Sequence, residues 1–325
     1  MKKLVCIVSA FCLLLAGCAR QKAAEKVTYL DVFDTVTTVI GDGAAAEKIH
    51  TDLQRYHKLF DIYHSYEGFN NLKTVNDQAG IAPVQVDEAI LALLSDCVEF
   101  YHLTDGRVNV AMGSVLKLWH YARNESLQNP QQAYIPTAET LEEAARHTDI
   151  TKLVIDWESS TVYLSDPKMS LDVGAVAKGW AAQKIAETAP KGMLISLGGN
   201  VVATGPKGEN TPWTVGVQDP KGADLREKLT LGKGAVVTSG DYQRTYTVEG
   251  KAYPHIIDPQ TGMPGLLWSS VTVVCEDSAL ADALSTALFL MPLEEGKALA
   301  EKSDAQALWI DKSDNCFATE GLPYA

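Results

Sequence analysis

The sequence predicts an α+β fold, in which mixed, mainly antiparallel sheets are flanked by helices within a single domain that has room for two lobes. Short segments with strand patterning follow one another through the second half of the chain, and only two helical segments interrupt them. A doubly wound parallel sheet would instead alternate strands and helices throughout. The spacing therefore favours strands in meanders with helices set beside them.

The N-terminal residues have the pattern of an export signal. Lys2 and Lys3 precede an apolar run that ends in Leu15-Ala16-Gly17-Cys18. This run is too short for a permanent membrane span, and small residues before a cysteine suit a lipoprotein peptidase. The alternative is an ordinary signal peptide that happens to contain cysteines. The expected division is a lipoprotein signal peptide (1–17), a lipidated Cys18 with a flexible linker (18–26) and a folded domain (27–325).

We therefore expect the protein in the bacterial cell envelope, anchored to a membrane through Cys18 and facing the extracytoplasmic (periplasmic) side. Ala19 carries no aspartate-type retention cue, so the choice between inner and outer membrane stays open.

Net charge narrows the choice of ligand. Without Lys2 and Lys3, 26 basic residues stand against 41 acidic ones, a formal charge of −15. This argues against nucleic acid as a partner. An anionic ligand would need a local cation or aimed backbone N–H groups, which makes a metal plausible. The three cysteines outside the signal are widely spaced, fit neither a zinc site nor a disulfide framework, and predict buried thiols: Cys97, Cys275 and Cys316.

The first half of the chain predicts one strand and three helices. A strand is expected around 29–40, and Ile49, Leu53, Tyr56 and Phe60 then recur at helical spacing. The next two helices begin after capping residues Asp87 and Thr137, and the first of them ends at 104–106.

The second half predicts mostly strands. A hairpin is expected from 152–157 and 161–164. Further strands are predicted at 193–197, 213–218, 235–238, 245–248 and 270–274, with helices at 175–188 and 279–291.

Five segments place glycine, polar side chains and acids where packing alone would not require them: 171–180, 196–200, 238–244, 255–262 and 279–287. In the first, a strand runs through Gly174 into a helix, so free N–H groups face any anion there, and Lys178 adds a charge. In the second, Gly198 and Gly199 end a strand at a tight turn or a ligand contact. In the third, Arg244 either steadies a phosphate or pairs with an acid.

The last two segments carry the candidate acid, base and metal ligands. His255 stands at the edge of a loop rich in turn formers, either as a titratable group or as a structural residue. Asp282, Ser285 and Thr286 follow i, i+3, i+4 spacing, so three oxygens project from one face of an apolar helix. A buried carboxylate is costly unless it is paired or binds a metal, and magnesium prefers oxygen ligands.

In number and order, these segments resemble the ApbE family of bacterial FAD:protein FMN transferases. The resemblance covers essentially the whole chain after the signal, and its motifs are 33–35, 104–106, 118–119, 171–179, the Gly-Gly-Asn turn, 238–240, 255–262 and 281–286. The sequence departs from the family pattern at Asn109, Ser114 and Gln183.

The resemblance implies a domain of ApbE type, related to the T-fold, formed by residues 27–325. It implies that FAD is the substrate, that Mg²⁺ is the cofactor, and that FMN is transferred to a threonine or serine hydroxyl, releasing AMP. The acceptor would be an exported protein with an Asp-x-x-Ser/Thr-Gly-Ala-Ser/Thr segment. FAD contacts are expected at Phe33, Tyr66, Arg107, Val108, Asn109, Asp172, Lys178 and Ile257.

The resemblance also assigns the chemistry. The metal is expected on the backbone carbonyl of Ala175 with Asp282, Thr286 and Ser285, while His255 and Asp282 are the expected catalytic residues. Two alternatives stay open: an FAD pyrophosphatase, in which water takes the place of the acceptor and FMN and AMP are released, and a non-catalytic FAD-binding lipoprotein.

Overall fold

The computed structural model describes residues 24–222 and 224–325, so the predicted signal peptide and the lipidated Cys18 lie outside the described residues. The strands are β1 (Glu25–Val32), β2 (Thr35–Gly41), β3 (Val84–Gln85), β4 (Leu153–Asp156), β5 (Thr161–Leu164), β6 (Leu194–Leu197), β7 (Asn200–Ala203), β8 (Trp213–Gln218), β9 (Leu225–Leu231), β10 (Gly234–Gly240), β11 (Tyr246–Val248), β12 (Lys251–Tyr253), β13 (Trp268–Cys275), β14 (Gln306–Asp311) and β15 (Cys316–Ala318). The helices are α1 (Gly43–Phe60), α2 (Leu72–Asp77), α3 (Glu88–Leu103), α4 (Gly113–Gln128), α5 (Ala138–Ala145), α6 (Ala177–Thr188), α7 (Ser278–Phe289) and α8 (Leu293–Lys302).

An eight-stranded sheet dominates the fold, in the order β1-β2-β6-β7-β10-β13-β14-β15. Every pairing between neighbouring strands of this sheet is antiparallel. Three smaller antiparallel sheets, β3-β5-β4, β8-β9 and β11-β12, lie outside it. The predicted α+β class with mainly antiparallel sheets is confirmed.

The single strand expected around 29–40 is in fact a hairpin of β1 and β2. Its turn consists of Phe33 and Asp34, whose φ angles of 54° and 50° are those of a primed two-residue turn. Glycine or asparagine usually marks such a turn, and neither is present, so the sequence pattern runs on without a visible break.

Helix α4 was missed because its sequence carries weak start signals. Its N-cap, Met112, makes no side-chain capping bond, and a glycine follows. Two of the predicted helices, α3 and α5, do have capping side chains: Asp87 accepts from the N–H of Ala89, and Thr137 accepts from that of Thr140.

One hydrophobic cluster joins helices α1, α3, α6 and α7 to both the eight-stranded and the three-stranded sheet. Helix α7 is buried on nearly every face, and α6 packs directly against it. The prediction of buried thiols is confirmed for Cys97, is met only in part by the half-buried Cys275, and is wrong for Cys316, which is exposed. Among the described residues, no helix combines the length and the apolar character that a membrane crossing requires.

Candidate active site

All five segments singled out in the sequence contribute side chains or backbone to one cleft of about 350 Å³. Its wall includes these predicted site residues: Phe33, Arg107, Val108, Asn109, Asp172, Ala175, Lys178, His255, Ile257, Asp282 and Thr286. Tyr66 and Ser285 do not line it. Segments separated by more than a hundred residues in sequence therefore converge on one place, as a shared site requires.

The crossing of α6 and α7 places the acid of the cleft. The backbone N–H of Gly179 donates to Oδ2 of Asp282 at 2.8 Å. A Cβ on Gly179 would lie 2.3 Å from the carbonyl oxygen of Ser278 and 2.4 Å from Cβ of Asp282. Only glycine allows the two helices to approach this closely, so the carboxylate of α7 meets the first turn of α6.

Asp282 is only 3% exposed, and its charge is correspondingly costly. Burial raises the pKa of the carboxyl above its usual range, against the opposing effects of Lys178 and of the Gly179 N–H. The ammonium of Lys178 lies 3.6 Å from Oδ2, longer than a normal hydrogen bond. The carboxylate is thus incompletely compensated, which favours a further cation beside it.

The residues around Asp282 fit a hard, oxygen-preferring ion. Ala175, Asp282 and Thr286 line the same cleft, so a backbone carbonyl, a carboxylate and a hydroxyl can contribute oxygen ligands. Within the described part of the chain, no group of three or more His, Cys, Asp or Glu side chains could hold a metal. A site with one carboxylate and neutral oxygens suits magnesium better than a transition metal.

The structure separates the two hydroxyls that the helical spacing had grouped. Ser285 is fully buried, and its Oγ lies 2.8 Å from Oγ of Ser239 and donates to the carbonyl of Asp282 at 3.0 Å. Thr286 lines the cleft. As a metal ligand, Thr286 therefore has the better position.

His255 has a defined tautomer. Its Nδ1 lies 3.1 Å from the carbonyl oxygen of Gln243, which can only accept, so Nδ1 carries the proton and Nε2 keeps a free lone pair. Burial, and then the charges of Arg244 and Lys178, lower the pKa of His255 to about 4. At neutral pH the ring is uncharged and can accept a proton at Nε2.

Arg107 holds the loop that carries His255. Its Nη1 lies 3.1 Å from Oδ2 of Asp258 and donates to the carbonyl of Leu290 at 3.3 Å. The indole N–H of Trp119 donates to the carbonyl of Gly262 at the far end of the same loop. The guanidinium that was predicted as an FAD contact is thus already engaged in fixing the loop, although it still lines the cleft.

The predicted aromatic contacts have different positions. Phe33 occupies the left-handed turn of the β1–β2 hairpin, packs edge-on against His57 and lines the cleft. Tyr66 instead donates its hydroxyl to Oδ2 of Asp61 at 2.7 Å. Burial raises the pKa of the Asp61 carboxyl, but the hydrogen bonds from Tyr66 and from the N–H of Tyr63 outweigh it, so the pKa is lowered. Tyr66 therefore supports the loop rather than forming the cleft wall.

Asp172 and Asn109, which were predicted to contact FAD, form hydrogen bonds that stabilise the turns in which they lie. Oδ1 of Asp172 accepts from the N–H of Gly174 at 2.9 Å. Asn109 accepts from the N–H of Ala111 and donates to the carbonyl of Thr148. Both residues line the cleft, so each shapes the backbone beside the ligand space.

Sequence reasoning missed a second group of lining residues, among them Tyr63 and His120. The Tyr63 hydroxyl lies 2.9 Å from Nδ1 of His120, which connects the loop after α1 to helix α4. Because α4 had no recognisable start signal and Tyr63 lies in an irregular loop, no periodic pattern pointed to either residue.

Comparison with known proteins identifies the family. The sequence model of the ApbE family matches residues 26–309. The FAD:protein FMN transferase of Treponema pallidum is 33% identical over 300 residues, which cover 86% of this chain and 80% of that protein. The FAD:protein FMN transferase of Vibrio cholerae is 28% identical over 324 residues, covering 96% and 94%.

Comparison with solved structures points to the same family. The crystal structure of the ApbE protein of Thermotoga maritima is similar with a TM-score of 0.81 at 30% identity, and covers 91% of this chain and 97% of that one. The flavin transferase ApbE from Vibrio cholerae gives 0.74 at 25% identity, covering 91% and 98%.

Proposed function

The chain belongs to the ApbE family and is a FAD:protein FMN transferase, and we propose that its cleft joins FMN to a threonine or serine hydroxyl of an exported acceptor. The acceptor oxygen forms a bond to the FMN phosphorus of FAD, and the bond from that phosphorus to the bridging oxygen breaks. AMP leaves with the bridging oxygen.

One observation carries this proposal: the unprotonated Nε2 of His255 and the buried carboxylate of Asp282 share a single cleft. His255 takes the hydroxyl proton as the new bond forms, because its lowered pKa leaves the lone pair free at neutral pH. The carbonyl of Gln243 holds the ring in the required tautomer.

Cations beside Asp282 would offset the negative charge of the pyrophosphate of FAD. Ala175, Asp282 and Thr286 would hold Mg²⁺, which when bound would neutralise charge that builds as AMP departs. Lys178 lines the cleft next to Asp282, so its ammonium would face the same phosphates. In a protein with a formal charge of −13, such local cations are needed to admit an anionic substrate.

The remaining wall suits a flavin nucleotide. Phe33, Val108 and Ile257 provide apolar surface for the ring system, and Asp172 and Asn109 provide polar groups at its edge. The anchor and the location remain those expected from the sequence: a lipid on Cys18, and an acceptor exported to the same side of the membrane.

The test uses the domain from residue 19 onward with FAD, Mg²⁺ and an exported protein that carries an Asp-x-x-Ser/Thr-Gly-Ala-Ser/Thr segment. Flavin fluorescence on the denatured acceptor, with AMP released in equal amount, is the expected result. A matched acceptor in which the final hydroxyl residue is replaced by alanine should stay unlabelled. Release of AMP and FMN without labelling of the acceptor would show that the enzyme hydrolyses FAD. Unreacted FAD would show that the protein only binds it.

A further inference from the structure

A small pocket adjoins the cleft on the side of helix α4. It is lined by Arg123 and Arg244 together with His120, His255 and aromatic side chains. Among the residues that the structure describes, neither guanidinium makes an ion pair or a side-chain hydrogen bond. The backbone of Arg244 adopts a φ of 46°, an uncommon conformation for a side chain of this size.

The charges in this pocket are positive and act on one another. Burial, and then the charge of Arg244, lower the pKa of Arg123. Burial also lowers the pKa of His120; both guanidiniums act in the same direction, and Asp172 opposes them. Since the protein as a whole carries an excess of acids, two neighbouring arginines without a carboxylate are a conspicuous exception. Arg123 is half-buried and Arg244 is exposed, so an anion from solution can reach both side chains.

The pocket and the cleft meet at the proposed base. Arg244, His120 and His255 line both, whereas Arg123 lines only the pocket. Lys178 and Asp282 line only the cleft, where the pyrophosphate is proposed to bind. A hydroxyl that approaches His255 from the α4 side would thus bring its neighbouring residues to the two arginines.

On the basis of the proposed transfer, we infer that Arg123 and Arg244 form a subsite for an oxyanion, the side-chain carboxylate of an acidic residue near the acceptor hydroxyl. Guanidinium groups bind carboxylates in a bidentate manner, which fixes orientation as well as adding affinity. An extended chain advances roughly 3.5 Å per residue, so an acid a few positions from the hydroxyl can reach across the His255 ring. Such a contact would select acceptors and align the hydroxyl with Nε2.

The competing source of an oxyanion is a nucleotide phosphate, and the experiment separates the two. Peptides of about a dozen residues carry the Ser/Thr-Gly-Ala-Ser/Thr end of the proposed acceptor segment and a single Asp, placed four to eight positions before the final hydroxyl residue, each with an Asn counterpart. Flavin incorporation gives kcat and the acceptor KM, and FAD binding is measured separately with the wild type, Arg123→Gln and Arg123→Lys.

We expect one Asp position to lower the acceptor KM of the wild type by about 10-fold or more relative to its Asn counterpart, the range of a charged hydrogen bond. Arg123→Gln should abolish that preference, and Arg123→Lys should restore part of it, while FAD affinity changes less than about twofold. The losses from Asp→Asn in the peptide and from Arg123→Gln should not add, because both remove the same contact.

Three results would overturn the inference. A fall in FAD affinity with an unchanged acceptor KM would assign the arginines to a phosphate. Equal labelling of the Asp and Asn peptides by the wild type and by Arg123→Gln would show that the arginines do not contact an acid of the acceptor. A wild type that cleaves FAD but labels no peptide would contradict the proposed transfer and with it the subsite, whereas the first two results leave transfer intact.

Discussion

The two walls of the cleft are built on different principles. Where α6 crosses α7, backbone atoms set the geometry: the Gly179 N–H holds Asp282, and no side chain would fit between the helices. On the α4 side, long side chains such as Arg244 and the half-exposed Tyr63 form the wall, and Arg123 lines the pocket that adjoins it. The first wall is preorganised for one reaction, and the second has the freedom to fit a protein partner.

The largest effect is expected at the rigid wall. Asp282→Ala should reduce AMP release and flavin transfer by about a thousandfold or more, as losses of preorganised charge do. The same change should leave the free energy of unfolding unchanged or raised, because burial makes the carboxylate costly in the folded state. Activity is followed against Mg²⁺ concentration. Undiminished turnover with magnesium still required would refute the assignment of Asp282.

At the junction of the two walls, His255→Gln should lower transfer by about a hundred- to ten-thousandfold, the usual contribution of a general base. FAD binding measured without acceptor should change little, since the ring is proposed to act on the hydroxyl. A large loss of FAD affinity with kcat preserved would show that His255 binds the nucleotide instead.

The pH dependence of activity is a further test of the role of His255. The folded-state pKa of His255 is about 4, below its ordinary value of 6.5, so protonation is disfavoured by folding. The acidic limb of kcat/KM should therefore have its midpoint near pH 4, and Arg244→Gln should move it upward by removing a positive charge. Stability follows the same sign: as pH falls from 6.5 towards 4, the wild type should lose stability relative to His255→Gln. A midpoint near 6.5 would contradict the assignment.

Gly179→Ala tests the close helix crossing. The added methyl group would overlap the Ser278 carbonyl, and we expect a loss of about 3 kcal/mol in the free energy of unfolding. Gly208→Ala is the matched control, because a Cβ there has no atom within 4 Å. Urea denaturation of the two variants measures the difference. Equal stabilities would mean that the helices can separate at no cost.

The smallest expected effect distinguishes two adjacent hydroxyls. Thr286→Val should raise the Mg²⁺ concentration needed for half-maximal activity by about 10-fold, since Thr286 lines the cleft. Ser285→Ala should cost about 1 kcal/mol of stability through its bond to Ser239, with little change in Mg²⁺ response. The apparent Mg²⁺ constant and the unfolding midpoint of each variant separate the two roles. The reverse pattern would make Ser285 the ligand.

Much of the fold could be predicted from local patterns. The alternation of the strands, the helix starts at Asp87 and Thr137, and the helices α6 and α7 could be predicted. Each of these features depends on residues close together in the sequence. Helix α4 and the β1–β2 turn were not, because Met112 and Phe33 carry none of the usual boundary signals. Their conformations depend on contacts that form only in the folded chain.

Through its resemblance to the ApbE family, the sequence by itself indicated the family and the transferase function. It also marked the segments that bear the chemistry, because glycine turns and the spacing of polar residues on a helix are local properties. Tertiary structure decided which of those residues face the cleft: it placed Thr286 in the wall and Ser285 in the core, and it committed Tyr66 to Asp61. It also brought Arg123 and Arg244 together beside His255. Contacts between residues distant in the chain arise from packing, and periodicity along one segment carries no record of them.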